Sequence, residues 1–204
     1  MRTVVLPADN EHNLQIAREI LSRGGVVVFP TDTVYGLGAA AFEGGAVEEI
    51  FRIKGRSQDK AIPILLSSAA EVDQVALELN DTARRLAQRF WPGPLTIVVA
   101  KATSVPDAVA GHSIGLRVPD HALARKLLAA AGPLAVTSAN LSGRKSPVTA
   151  ADVLDQLDGR VELVLDGGTT PGGMPSTVVD CTSGAPIILR EGPVTPQAIK
   201  AALS

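Results

Sequence analysis

Lys54, Arg56 and Lys60 place three cations in one short segment, between a helix-like pattern and an apolar run at 62–66. Cations packed this closely suit a phosphate-rich ligand. Val47, Ile50 and Phe51 recur at helical spacing, and one further turn lands on Lys54, so this lysine is expected on the inward stripe, where an ammonium needs an anionic partner. Gly55 can take the left-handed conformation that ends a helix, turning the chain so that Arg56 and Lys60 converge. The same residues also fit a purely structural role, as cations facing the negative end of a helix dipole.

Hydroxyls and small residues cluster after two apolar runs. The run 26–29 is followed by Thr31, Asp32, Thr33, Val34, Tyr35 and Gly36, at the carboxyl end of a strand, where open α/β sheets bind ligands. Capping of the turn is the alternative use of these hydroxyls. The run 134–137 leads into Thr137, Ser138, Asn140, Ser142 and Gly143, a loop able to cradle phosphate or base. Arg117 and Arg190 each stand in an otherwise apolar strand pattern. Leu116 and Val118 share one face, so Arg117 points from the other, where it can grip a carboxylate or phosphate bidentately. Ser176 and Thr177 follow a Pro- and Gly-rich stretch, 171–175, that reads as a mobile lid.

Several chemistries are set aside. Gly36, Gly38 and Ala41 match the dinucleotide fingerprint literally, but they lie six residues past the strand, and the acid about twenty residues on, Asp59, falls inside the cationic segment. There is no GxxxxGK[ST] loop, HExxH or G-x-S-x-G elbow. His12, His112 and His121 are scattered and read as surface residues. Cys181 is the single cysteine, so no internal disulfide forms and no zinc spacing exists; a cytoplasmic location is expected.

The elements that must position these residues belong to an α/β chain. Of 204 residues 46% are hydrophobic and only 3% aromatic, so aliphatic side chains build the interior, as for strands covered by helices. A formal charge of -2 argues against wrapping nucleic acid through the overall field and leaves any cationic site local. No signal peptide or membrane-spanning run is readable. Helices are expected from Leu14, Ala17, Ile20 and Leu21; from Val72, Val75, Ala76 and Leu79; from Ala83, Leu86, Ala87 and Phe90, capped by Asp81; after Asp120 as a cap; at a Thr149/Asp152 capping box; and after Thr195-Pro196. Strands are expected at 26–29, 62–66, 95–100, 114–118, 134–137, 161–165, 177–181 and 187–190, in a mixed, partly antiparallel sheet within one domain, 1–204.

Taken together, the segments 30–38, 53–63, 91–96, 115–119, 137–143, 176–180 and 189–192 resemble, in order and spacing, the YrdC/Sua5 family of threonylcarbamoyl-AMP synthases. The resemblance runs from about residue 10 to the end. It implies the short form without an additional C-terminal domain, and a YrdC/RibB-like twisted open sheet flanked by helices around a large concave cavity. It also implies a reaction joining L-threonine, bicarbonate and ATP into threonylcarbamoyl adenylate and pyrophosphate, for a downstream transferase that modifies adenosine 37 of tRNA. By matching motif, Lys54, Arg56 and Lys60 would neutralise the triphosphate, Arg190 would close over it, and Ser138, Asn140 and Ser142 would contact the nucleotide. Arg117 would hold the threonine carboxylate, with Thr33, Tyr35, Thr137 and Ser176 around the amino acid. Mg²⁺ would arrive with ATP. Other uses of the same cavity are an RNA-binding module, with weak tRNA contact, and a carbamoyl-transfer domain like that of hydrogenase maturation proteins.

Overall fold

A computed structural model describes residues 2–58, 60–183 and 185–204; Asp59 lies outside them. The chain runs β1 (Val4–Pro7), α1 (Glu11–Ser22), β2 (Val27–Phe29), β3 (Gly36–Ala40), α2 (Gly44–Lys54), β4 (Ile64–Leu65), a 3₁₀ turn (Ala69–Gln74) and α3 (Asp81–Phe90). It continues through β5 (Leu95–Ala100), β6 (Ser113–Arg117), α4 (Ala122–Ala131), β7 (Leu134–Ser138) and α5 (Ala150–Leu157). The last elements are β8 (Leu163–Asp166), β9 (Thr177–Asp180), β10 (Ile187–Arg190) and α6 (Pro196–Leu203). Among the described residues all ten strands form one sheet in the order β1-β8-β2-β3-β7-β4-β6-β5-β9-β10. Parallel pairs such as β5/β9 and antiparallel pairs such as β5/β6 both occur in it, so the sheet is mixed. Among the described residues, no helix is long and apolar enough to cross a membrane.

Strand alternation sends side chains to two faces, and the helices cover those faces unequally. Leu95, Ile97, Ile114, Leu116 and Val179 enter a core shared with α2, α3, α5 and α6. On the opposite face a smaller core joins α1 and α4 to Val27, Phe29, Leu65, Leu134, Val136, Leu163 and Leu165. That second layer stops at β4 and β7. Beyond it, Thr96, Val98, Ser113, Gly115, Arg117 and Val178 project from β5, β6 and β9 into a cavity instead of a helix.

The expectations at 95–100 and 187–190 match β5 and β10 residue for residue, and the Thr149 capping box and Thr195 cap are present. The run 161–165 begins its strand two residues late, at Leu163. The helix expected through Val72 to Leu79 is only the 3₁₀ turn. The backbone of Leu77 donates to the Ala100 carbonyl and that of Ala102 to the Val75 carbonyl, so an extension of β5 captures this segment before a second turn can close. Asn80, not Asp81, caps α3, its side chain accepting from Ala83 N at 2.9 Å; His121, not Asp120, caps α4. Strand β3 went unread because its glycines argue against a strand. Here they are steric necessities: a Cβ on Gly36 would stand 2.7 Å from a Val136 methyl, and one on Gly38 2.9 Å from the Phe29 ring.

Candidate active site

The cavity has a volume of about 390 Å³ and opens between the 31–36 loop, the ends of β4 to β7 and the start of β9. Seven of the residues singled out from sequence line it: Thr33, Arg56, Arg117, Thr137, Ser138, Ser176 and Arg190. Segments distant in the chain therefore bring three guanidinium groups to one hollow.

Arg117 is held from three sides. Its Nε donates to the Gly93 carbonyl at 3.0 Å, Nη1 donates to Thr33 Oγ1 at 3.0 Å, and Nη2 pairs with Asp32 Oδ1. The two side chains of the ion pair are 7% and 10% exposed. Thr33 is itself fixed, 3.0 Å from the hydroxyl of Thr31, which donates to the Val34 carbonyl. Five N–H donors with three engaged leave two N–H groups of Arg117, one on each Nη, for a ligand. Burial pulls the Arg117 pKa down, the charge and hydrogen bond of Asp32 push it up, and the charge of Arg190 pulls it down again. Arg190 is lowered by burial and then by Arg56. These cations repel one another across the cavity, a field that an anion relieves.

A β-bulge aims Arg190. Ile188 pairs with Val179 while Arg190 pairs with Val178, so the register slips by one residue at Leu189. Simple alternation would send Arg190 to the side of Ile188, which packs on the larger core; the extra residue turns it into the cavity instead. There its Nε donates to the Ser176 carbonyl at 3.0 Å and Nη2 to Ser176 Oγ at 3.2 Å. Arg56 reaches the rim from the segment after α2, donating to the Lys60 carbonyl at 3.3 Å and the Ala61 carbonyl at 3.1 Å.

Lys54 behaves otherwise. It faces inward, 3% exposed, as its helical position predicts, but it does not line the cavity. Its Nζ donates to the Ser138 carbonyl and, at 2.6 Å, to the Asn140 carbonyl, while its own carbonyl accepts from Ser142 N at 2.9 Å. The lysine clips the 138–142 loop at both ends, and backbone carbonyls supply the negative partner expected of an anion. Gly55, at φ 59°, ends α2 and makes this clip possible. Burial, with the charge of Arg56 second, pulls Lys54 from 10.5 to about 7.

The unfolded chain keeps that proton to the ordinary lysine range, so the folded state releases it first, and stability from this group is lowest below about pH 7 and rises between about pH 7 and pH 10. The urea midpoint of the protein should therefore climb relative to that of Lys54→Met across that window. A flat difference would contradict the depressed value.

Four further sequence candidates lie outside the cavity lining. Asn140 is buried, its amide donating to the Leu141 and Arg144 carbonyls at 2.8 Å, and it shapes the loop from behind. Ser142 and Lys60 are exposed, and Lys60 contributes its carbonyl to Arg56. Tyr35 is fully buried; its hydroxyl donates to the Gly168 carbonyl at 2.7 Å and accepts from Gly167 N at 3.1 Å, pinning the end of β8, and burial pushes its pKa up to about 12. Alternation separates it from its neighbours: Tyr35 faces the core and Gly36 the cavity. Stretch 171–175, read as a lid, is docked on the 31–33 loop. Gly173 N donates to the Thr33 carbonyl at 3.0 Å, and a Cβ on Gly172 would stand 2.5 Å from the Asp32 carbonyl.

Sequence reading passed over Thr96 and Ser113, which line the cavity, and gave Asp32 no task. Counting back from Arg117 in steps of two reaches Gly115 and Ser113, so alternation alone would have found one of them. Among the described residues, no group of three or more His, Cys, Asp or Glu side chains could hold a metal ion.

An open mixed sheet with helices on one face and a guanidinium-lined hollow on part of the other defines an α/β protein built to hold small anionic ligands. The family model Sua5_yciO_yrdC, described as "Telomere recombination", matches residues 19–192, and the chain belongs to that family. It is 42% identical over 89% of its length to the threonylcarbamoyl-AMP synthase of Pyrococcus abyssi, of which it spans about half, 54%. It is 39% identical over 95% of its length to a putative threonylcarbamoyl-AMP synthase of Mycobacterium tuberculosis, spanning 90% of that protein. The solved structure of P. abyssi Sua5 complexed with L-threonine superposes with a TM-score of 0.96 at 38% identity, covering 98% of this chain and 61% of that one.

Proposed function

We propose that this chain makes L-threonylcarbamoyladenylate and pyrophosphate from L-threonine, bicarbonate and ATP, for a downstream transferase that modifies tRNA. One observation carries the reading: Arg117, Arg190 and Arg56 meet at a single hollow, one of them locked by a buried carboxylate at one end of it. The names of the relatives and the L-threonine held by the P. abyssi structure support it. The single, buried thiol of Cys181 accords with a cytoplasmic setting.

In this reading the remaining N–H groups of Arg117 take the threonine carboxylate, with Thr33, Thr137 and Ser176 ordering the carboxylate and nascent carbamate of the amino acid. The amine, once deprotonated, adds to bicarbonate-derived CO₂ to give an N-carboxylate, and an oxygen of that group attacks the α-phosphorus of ATP. Pyrophosphate leaves carrying the negative charge, which Arg56 and Arg190 stabilise. Mg²⁺ enters as part of the MgATP substrate. The carbamate is short-lived in water, so holding it beside the phosphorus is the main task of the cavity, an effect worth up to about 7 to 11 kcal/mol in well-oriented systems.

Purified protein should release pyrophosphate from ATP only when threonine and bicarbonate are both present. Serine lacks a methyl worth about 1 to 3 kcal/mol in an apolar pocket and should turn over at least tenfold less efficiently, by roughly that margin. Pyrophosphate release that ignores threonine would sink this reading.

A further inference from the structure

Thr96 lies on β5 between Leu95 and Ile97, both of which enter the larger core, so alternation commits its side chain to the cavity. It is 3% exposed, and its hydroxyl stands 2.8 Å from that of Ser176, itself 4% exposed. Among the described residues this is its single hydrogen-bond partner. A hydroxyl has one proton and two acceptor lone pairs. The guanidinium of Arg190 can only donate, so its 3.2 Å contact fills one lone pair of Ser176 Oγ. When Thr96 donates as well, the second lone pair is filled, and the one remaining capability of Ser176 is its proton.

We infer that Thr96 is a positioning residue: it donates to Ser176 and so turns the Ser176 hydroxyl into an obligate donor toward the cavity, suited to an anionic oxygen of the amino-acid substrate. This deepens the reading above and rests on it. Without Thr96 the Ser176 hydroxyl could rotate its proton away and present a lone pair to a carboxylate, which repels it. Arg190 charges the site but cannot set that direction alone, because Ser176 would keep one lone pair unfilled.

The test is calorimetric titration of L-threonine into the full chain, with kinetics alongside. Thr96→Val keeps the volume and the methyl packed against Gly115, and loses only the hydroxyl. The expected result is about tenfold weaker threonine binding, the scale of one hydrogen bond to a charged group, with the KM for ATP unchanged. Thr96→Ser should return to near the wild-type value. In a Ser176→Ala background the Thr96→Val change should add nothing further, since the hydroxyl it orients is gone. Equal threonine binding by wild type and Thr96→Val overturns this inference and leaves the proposed function standing. So does a loss in Thr96→Ser as large as in Thr96→Val, a fully additive loss in the double variant, or a change confined to ATP. Absence of threonine binding by the wild-type chain overturns both.

Discussion

Arg117→Ala is expected to lower kcat/KM for threonine by about two to three orders of magnitude, because it removes two charge-assisted hydrogen bonds to the carboxylate at once. Lysine should not rescue it, since a single ammonium cannot occupy the places of Nε, Nη1 and Nη2 against Gly93, Thr33 and Asp32 and still present N–H groups to the ligand. The same substitution strands Asp32, one of whose oxygens, Oδ2, is already buried without a partner, and an uncompensated buried charge costs about 3 to 5 kcal/mol. Stability and activity can therefore be separated. Asp32→Asn combined with Arg117→Ala should recover most of the urea midpoint and none of the threonine-dependent turnover. Recovery of turnover in that double variant would remove Arg117 from the substrate site.

Lys54→Met should reduce turnover about a hundredfold although the lysine does not line the cavity. Its ammonium fixes the carbonyls of Ser138 and Asn140, and misplacing a catalytic loop by about 1 Å can cost that much. The fold should survive, because two unpaired carbonyls are offset by the loss of a buried charge. Steady-state kinetics should show the defect in kcat together with the KM for ATP, with threonine binding by calorimetry retained, since the Arg117 end is built independently. A near-normal rate would make the clip dispensable and leave the three arginines as the whole cationic machinery.

Much of this site was legible because its signals are local. Lys54 on the inward face of α2 follows from three apolar residues at helical spacing, and Gly55 as the left-handed stop follows from the one residue type that tolerates it. Arg117 opposite Leu116 and Val118 follows from the period of a strand. Other readings failed where a distant segment intervened. Tyr35 stands in a run of candidate ligands, yet it serves β8, whose residues arrive more than a hundred positions later. The glycines of β3 look like a flexible loop until the Val136 and Phe29 side chains that exclude a Cβ are in place.

The division has a physical origin. Amino-acid order alone determined which side of α2 Lys54 takes and which side of β6 Arg117 takes, where α2 stops and α5 and α6 start, and which cations lie close in the chain, since backbone periods and capping act over a few residues. Only the tertiary structure decided that α1 and α4 cover part of one sheet face and leave β6, β5 and β9 bare, because that depends on a strand order joining β5 to β9 and β3 to β7. It also decided that a one-residue slip against β9 turns Arg190 toward Arg117, and that Thr96 meets Ser176 across two strands. A cavity is what long-range packing fails to fill, and no local pattern records it.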